Sequence, residues 1–307
     1  MIFDTHTDIL YDIVCKRLKG KSDTVESYHI PQLLEGNITG GIWTYYTDVN
    51  QLLCDDFDLA INYIISELQH SDNIHLVKGK DEWEDHKMNV VLGLESLAPV
   101  KDLKQLRKLY DKGFRHAMLT WNEKNQYGTG VGSEKKVGLT DLGCEAVTLM
   151  NKLGMVVDVS HANVETMVDI LDITTAPVIA SHSNCYGLTP HKRNLTDVQI
   201  KAIAQVDGMI GVTAVPDFTD PKKPTIKSLV NHIDYIKKLV GTNYVGLGFD
   251  FMNYLVDDLE NYNLDDCPNA AYANNVIDEL IQRGYSSVEI DNITNRNAKR
   301  VINHILK

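Results

Sequence analysis

Apolar and polar positions along this chain follow two alternating rhythms. Short apolar runs rich in β-branched residues recur from the first residues onward, each followed by a polar loop and then by a stretch with apolar residues three and four apart. Strand precedes helix throughout. Strands are expected near residues 2–5, 41–47, 89–94, 116–120, 155–160, 178–181, 209–214 and 244–249. Between them "DDFDLAINYIISELQH", "DLGCEAVTLMNKLG" and "VNHIDYIKKLVG" carry helical spacing, with a glycine closing the last two. Runs that are apolar throughout suit strands buried on both faces. Eight such β/α units therefore predict an α/β chain folded as a single-domain (β/α)₈ TIM barrel over residues 1–307. The alternative is a doubly wound open sheet. Against it, "GTGVG" (residues 128–132) does not join an expected strand directly to a helix, and no Walker-type phosphate loop occurs.

Composition narrows this picture little. The 307 residues are 43% hydrophobic and 23% charged, ordinary for a globular chain with a large core, and no linker-like or repeated stretch divides them. Charge changes more. The formal net charge is −12, with acidic residues gathered in "VDDLENYNLDD" (residues 256–266), which argues against nucleic acid or an anionic membrane as partner. No apolar segment reaches the length of a membrane span, the first expected strand leaves no room for a signal peptide, and the closing "NHILK" is unlike an anchor signal. A cytoplasmic location is expected. The five cysteines, Cys15, Cys54, Cys144, Cys185 and Cys267, are odd in number and lack CxxC spacing, so they read as free thiols. In an unsecreted chain the sequons at Asn37, Asn194 and Asn292 carry no meaning.

The candidate chemistry lies at the strand ends. In "MIFDTHTDIL", His6 and Asp8 stand two apart at the end of the first expected strand, so both face one spot. A neutral imidazole and a carboxylate converging there suit a borderline-soft divalent ion such as Zn²⁺. Glu95 follows "VVLGL", His161 follows "MVVDVS", His182 follows "PVIAS" and Asp250 follows "YVGLGF". Singly, each has an ordinary explanation as a helix cap, a first-turn carboxylate or a loop hydrogen-bonder. Together they place ligand-type or acid/base groups at five strand ends, on the face where a barrel carries its chemistry. Three imidazoles and two carboxylates exceed one tetrahedral zinc with an open position, which points to two ions with Glu95 bridging. A water held between them would ionise near neutral pH and provide a bridging hydroxide. Mn²⁺ or Co²⁺ would suit the same groups.

The same residues carry a family resemblance. "DTHTD", "GGIWTYYT" (40–47), "GLES" (93–96), "DVSHAN" (158–163), "SHSNCYGLTPHKRN" (181–194), "GLGFDF" (246–251) and the closing "NRNAKRVI" resemble the membrane dipeptidase (renal dipeptidase-like, peptidase M19) family of amidohydrolase-like metal barrels. The resemblance spans nearly the whole chain. It implies a binuclear zinc site that hydrolyses small dipeptides, L,L and also L,D with the D-residue at the C-terminal position. Carried over, His6 and Asp8 hold one ion, His161 and His182 the other, and Glu95 bridges. Arg193 matches the arginine that grips the substrate carboxylate, and Asp250 the acidic residue that handles protons. Bidentate guanidinium–carboxylate pairing makes the first role chemically sound, though a surface arginine beside Lys192 is the plain alternative.

This chain departs from the pattern in two places. Where the mammalian-type members have a histidine after "LT", it has Trp121, in "LTWNEKN". Asn122 or Asn125 could supply the missing donor to the substrate, against a structural loop role for either. The likeness also weakens over "GVTAVPDF" (211–218). His29, His116, His191 and His232 read as structural or exposed, and Cys185 as a packed thiol. Rival functions are another binuclear amide or lactone hydrolase on the same barrel, and a catalytically impaired metal-binding homologue. The oligomeric state stays open, with a homodimer among the options.

Overall fold

The computed structural model describes residues 1–47, 56–255 and 262–307. Among these lie nine parallel strands: β1 (Ile2–Thr7), β2 (Ile38–Tyr46), β3 (Ile74–Leu76), β4 (Met88–Glu95), β5 (Phe114–Met118), β6 (Val156–Asp158), β7 (Val178–Ala180), β8 (Met209–Val212) and β9 (Val245–Leu247). Eight close into a barrel in the order β1-β2-β4-β5-β6-β7-β8-β9, with β9 returning to β1. The chain is a single-domain TIM barrel, as its alternation of apolar runs and helical spacing requires.

The ninth strand, β3, was not expected. It lies beside the first half of β4, from Ile74 opposite Met88 to Leu76 opposite Val90, while β5 takes the second half. Three residues with His75 in the middle are too short and too polar to stand out as an apolar run. The other strands match the expected runs with shifted ends. The ladders of β6 and β9 stop at Asp158 and Leu247, ahead of the residues that turn into the barrel mouth.

The helices are α1 (Ile9–Leu18), α2 (Ile30–Glu35), α3 (Phe57–Gln69), α4 (Leu103–Asp111), α5 (Asp141–Leu153), α6 (Val164–Ile173), α7 (Asp197–Gln205), α8 (Pro216–Thr219), α9 (Ile226–Val240), α10 (Asn275–Gln282), α11 (Ser287–Asp291) and α12 (Asn297–Ile305). Side chains of Asp56, Asp102, Thr140, Asn163, Thr196 and Thr225 cap the first turns of α3, α4, α5, α6, α7 and α9. Gly154 ends α5 at φ 79°, a left-handed position that costs glycine no clash.

Two apolar clusters fix which end of the barrel is open. The larger one lies between strands and surrounding helices. The smaller gathers Phe3, Ile42, Val91, Val156, Ile179 and Met209 from six strands against Val301, Ile302 and Ile305 of α12, with Leu306 beyond it. Helix α12 thus plugs the end where the strands begin, and the C-terminal ends are left for chemistry. No helix of the described residues is long and apolar enough to cross a membrane. Cys15, Cys144, Cys185 and Cys267 are free thiols; Cys54 and residues 256–261 of the acidic run lie outside the described residues.

Candidate metal centre

The strand ends deliver their polar residues to one point. His6 is in β1 and Asp8 stands just before α1, making no capping bond to it; Glu95 is the last residue of β4; His161, His182 and Asp250 follow β6, β7 and β9. All six are buried, His6 and His182 completely. Their ligand atoms form three overlapping groups, each within 4.8 Å: His6, Asp8 and Glu95; Glu95, His161 and His182; and His6, His182 and Asp250. Glu95 belongs to two of them. Its Oε2 is 3.6 Å from His6 Nε2, and its Oε1 is 2.9 Å from His161 Nε2 and 3.6 Å from His182 Nε2. His6 Nε2 is 3.7 Å from Asp250 Oδ1 and 4.0 Å from Asp8 Oδ1.

Backbone geometry at this end is unusual. His161 and Asp250 have φ 68° and 59°, and Ser96, next to Glu95, has φ 103°. Non-glycine residues hold such angles only where their surroundings over-determine them, and they concentrate at functional sites.

Supporting bonds orient the imidazoles. His161 Nδ1 donates to Asn122 Oδ1 at 3.0 Å, which leaves its Nε2 without a proton. That bare nitrogen faces Glu95 Oε1 and, at 2.9 Å, His182 Nε2. His182 Nδ1 pairs with the Ser181 hydroxyl at 2.8 Å, and Thr44 donates to Asp8 Oδ1 at 2.9 Å. Neither ring nitrogen of His6, stacked on His182 with centroids 3.7 Å apart, has a hydrogen-bond partner. Imidazole nitrogens packed against carboxylates, with the far nitrogens of His161 and His182 tethered, are a donor set that fits divalent cations.

Without positive charge, this cluster resists ionisation. Burial pushes the His6 imidazole down to about 3 and those of His161 and His182 well below their ordinary value. Burial first, and then mutual repulsion, holds the Glu95 and Asp250 carboxyls well above the usual range, while burial lifts Asp8 to about 6. A bound cation reverses that balance for every carboxylate at once.

Arg193 is buried as well. Its Nη2 donates to His182 O at 3.3 Å, its guanidinium lies 5.5 Å over the Phe218 ring, and its Nε has no partner. Burial lowers its pKa to about 10, opposed by the nearby charges of Glu95 and Asp250. The guanidinium therefore borders the cluster with hydrogen-bonding capacity in hand.

Of the proposed donors, Asn122 has its carboxamide oxygen committed to His161, leaving Nδ2 as its proton-bearing group. Asn125 shapes a loop, donating to Leu119 O and accepting from Tyr127 and Gly128 amides. Trp121 stands with its ring 5.7 Å from that of His161 and 5.0 Å from that of Tyr46, forming an aromatic wall at the mouth. Sequence reasoning missed Thr44 and Ser181, although both lie inside quoted motifs; the Thr44 partner, Asp8, is 36 residues away, whereas that of Ser181 is the histidine next to it.

A sequence profile of the membrane dipeptidase family, peptidase family M19, matches residues 1–307. The chain belongs to this family. Membership makes it a dipeptidase-type hydrolase of peptide bonds, of the metallopeptidase kind. The chain is 28% identical to the dipeptidase tcpJ of Claviceps purpurea over 98% of its own length and 76% of that protein. Among solved structures it resembles a metallopeptidase from Rhodobacter sphaeroides liganded with a phosphinate mimic of the dipeptide L-Ala-D-Ala, with a TM-score of 0.83 and 19% identity over 99% of both chains. The probable dipeptidase PvdM from Pseudomonas aeruginosa gives a TM-score of 0.83 and 20% identity, over 99% of this chain and 95% of that one. At these identities the structural likeness is one of fold.

Proposed function

We propose that this protein is a zinc-dependent dipeptidase that holds two ions and cleaves small dipeptides, both L,L and L,D with the D-residue C-terminal. The observation that carries this reading is the convergence of donor atoms on one point, His161 Nε2 lying 2.9 Å from both Glu95 Oε1 and His182 Nε2 and the partnerless His6 Nε2 3.6 Å from Glu95 Oε2, a set that suits cations. His6 and Asp8 would hold one ion, His161 and His182 the other, with Glu95 shared between them. Bound there, the ions would supply Lewis acidity and lower the pKa of a water toward neutrality. Mn²⁺ or Co²⁺ would suit the same donors.

The remaining roles fall to the chain's own groups. Arg193, with its unpaired Nε, takes the free carboxylate of the substrate in a bidentate grip, which favours dipeptides over longer chains. Asp250, 3.7 Å from His6 Nε2, accepts a proton at its carboxylate and returns it to the leaving amine. Asn122 Nδ2 would meet the substrate while Oδ1 steadies His161. Tolerance of a C-terminal D-residue is in keeping with the ligand of the Rhodobacter sphaeroides structure.

The test is elemental analysis of the purified protein together with hydrolysis of Leu-D-Ala and Leu-Ala, before and after chelation and zinc return. About two zincs per chain with chelator-sensitive cleavage of both is the expected result. Two zincs without cleavage would turn the search to other amides and to lactones, with Trp121 as the marker of the change.

A further inference from the structure

Strands β6 and β7 are short, and the ladder between them pairs Val157 with Val178 and Asp158 with Ile179. His161 and His182 lie beyond that ladder, on loops; a bridge from Gly130 to Ala162 braces the first, and what ties the two loops to each other is the carboxylate of Asp158, which is 1% exposed. Its Oδ1 accepts the amide of Ser160 at 2.9 Å and that of Ser181 at 3.1 Å. Each serine is the residue immediately before one of the two histidines. Asp158 Oδ2 is anchored in turn by His116 Nε2 of β5 at 2.8 Å. The Ser160 hydroxyl then accepts the amide of His182 at 3.2 Å, and Val131 N–H donates to His161 O at 2.8 Å. An ion pair that served stability alone would need only the His116 contact. Here the second oxygen binds two loops in one register.

We propose that Asp158 is a positioning residue that sets His161 and His182 as a pair, acting through the backbone of the loops that carry them. The inference rests on the reading that these imidazoles hold a divalent ion. The carboxylate fixes both Ser amides, and the left-handed turn at His161 then aims its Nε2 at His182 and Glu95. Outer partners of this kind tune affinity by holding ligands where the ion needs them.

The experiment measures the affinity of each bound Zn²⁺ by competition with a chromophoric chelator, for the parent protein and for Asp158→Ala, Asp158→Asn and Ser160→Ala. Unfolding of each metal-free protein is recorded alongside. In Asp158→Ala one of two ions should weaken by about 10- to 100-fold while the other stays near its parental affinity. Asp158→Asn keeps an oxygen for both amides and should recover most of the loss. Ser160→Ala removes one small hydroxyl and should weaken the same ion several-fold. Equal weakening of both ions in step with metal-free stability would overturn the inference in favour of a purely structural role. If Asp158→Ala does not fold, Ser160→Ala decides, and unchanged affinity there overturns the proposal. A parent that binds no ion would remove the metal reading and this inference together; two ions unaffected by any variant would remove the inference alone.

Discussion

Asp250 joins two unusual properties: a left-handed backbone angle of 59° and a carboxyl that burial holds well above the usual range. If its task is proton transfer, Asp250→Asn should leave metal content unchanged and lower kcat by a factor on the order of 10² or more. Elemental analysis paired with steady-state rates checks both halves, and undiminished turnover would remove Asp250 from the mechanism. Arg193 yields a different expectation. Arg193→Met should raise KM chiefly for dipeptides with a free carboxylate, and the parent should cleave amidated dipeptides far less well than free ones. Equal cleavage of the two by the parent would end the clamp idea. The six clustered residues were legible in the sequence because Glu95, His161, His182 and Asp250 each follow an apolar run, where a barrel strand ends, and His6 and Asp8 stand two apart at the end of the first expected strand. The oxygen of Asn122 was not. Its partner, His161, lies 39 residues away, and only the folded loops bring the two together.

Among the elements, the segment 128–132 gains a role that its glycines did not announce. Gly130 donates to Glu123 O, Val131 to His161 O and Gly132 to Asn122 O, each at 2.8 Å, so this loop braces the chain on both sides of the His161–Asn122 bond. A Cβ on Gly130 would sit 2.0 Å from Trp121 O. Gly130→Ala should therefore destabilise by about 1–3 kcal/mol, seen as a lower midpoint in denaturant, and more if the loop is displaced. Helix α9 supplies a pH-sensitive latch. His232 Nδ1 accepts the Cys185 amide at 3.1 Å and its Nε2 donates to Thr219 O at 2.9 Å, a pattern that only the neutral ring satisfies. Burial lowers its pKa below the ordinary 6.5, so its contribution to stability is full above that value and fades as the pH falls through the lowered one. His232→Gln should flatten the stability profile between about pH 7 and 5, measured by urea unfolding at each pH. Eight strands were readable because their runs are apolar on both faces. Strand β3 was not, because it borrows its place from an uncovered half of β4 rather than from its own pattern.

For the whole molecule, the site is a property of closure. Its residues come from β1, β4, β6, β7 and β9, so no contiguous fragment holds more than a part of it. The circle is unevenly knit. Strands β2 and β4 stay in register from Gly40 opposite Asn89 to Tyr46 opposite Glu95, whereas β1 meets β9 at Asp4 opposite Leu247. Just beyond that junction, Asp250 N–H donates to His6 O at 3.2 Å, and the two side chains stand 3.7 Å apart. An ion held by His6 and Asp8, with the Asp250 carboxylate beside His6 drawn toward its charge, would then act as a clasp between the first strand of the chain and the last. Hydrogen exchange offers the reading: on chelation, protection should fall earliest at amides flanking β1 and β9, with β2 and β4 little changed. Uniform loss of protection around the barrel would deny the clasp. With such a clasp fastened, the weakest seam of the ring would loosen only when the cation leaves, and metal occupancy would set how long the barrel survives between openings.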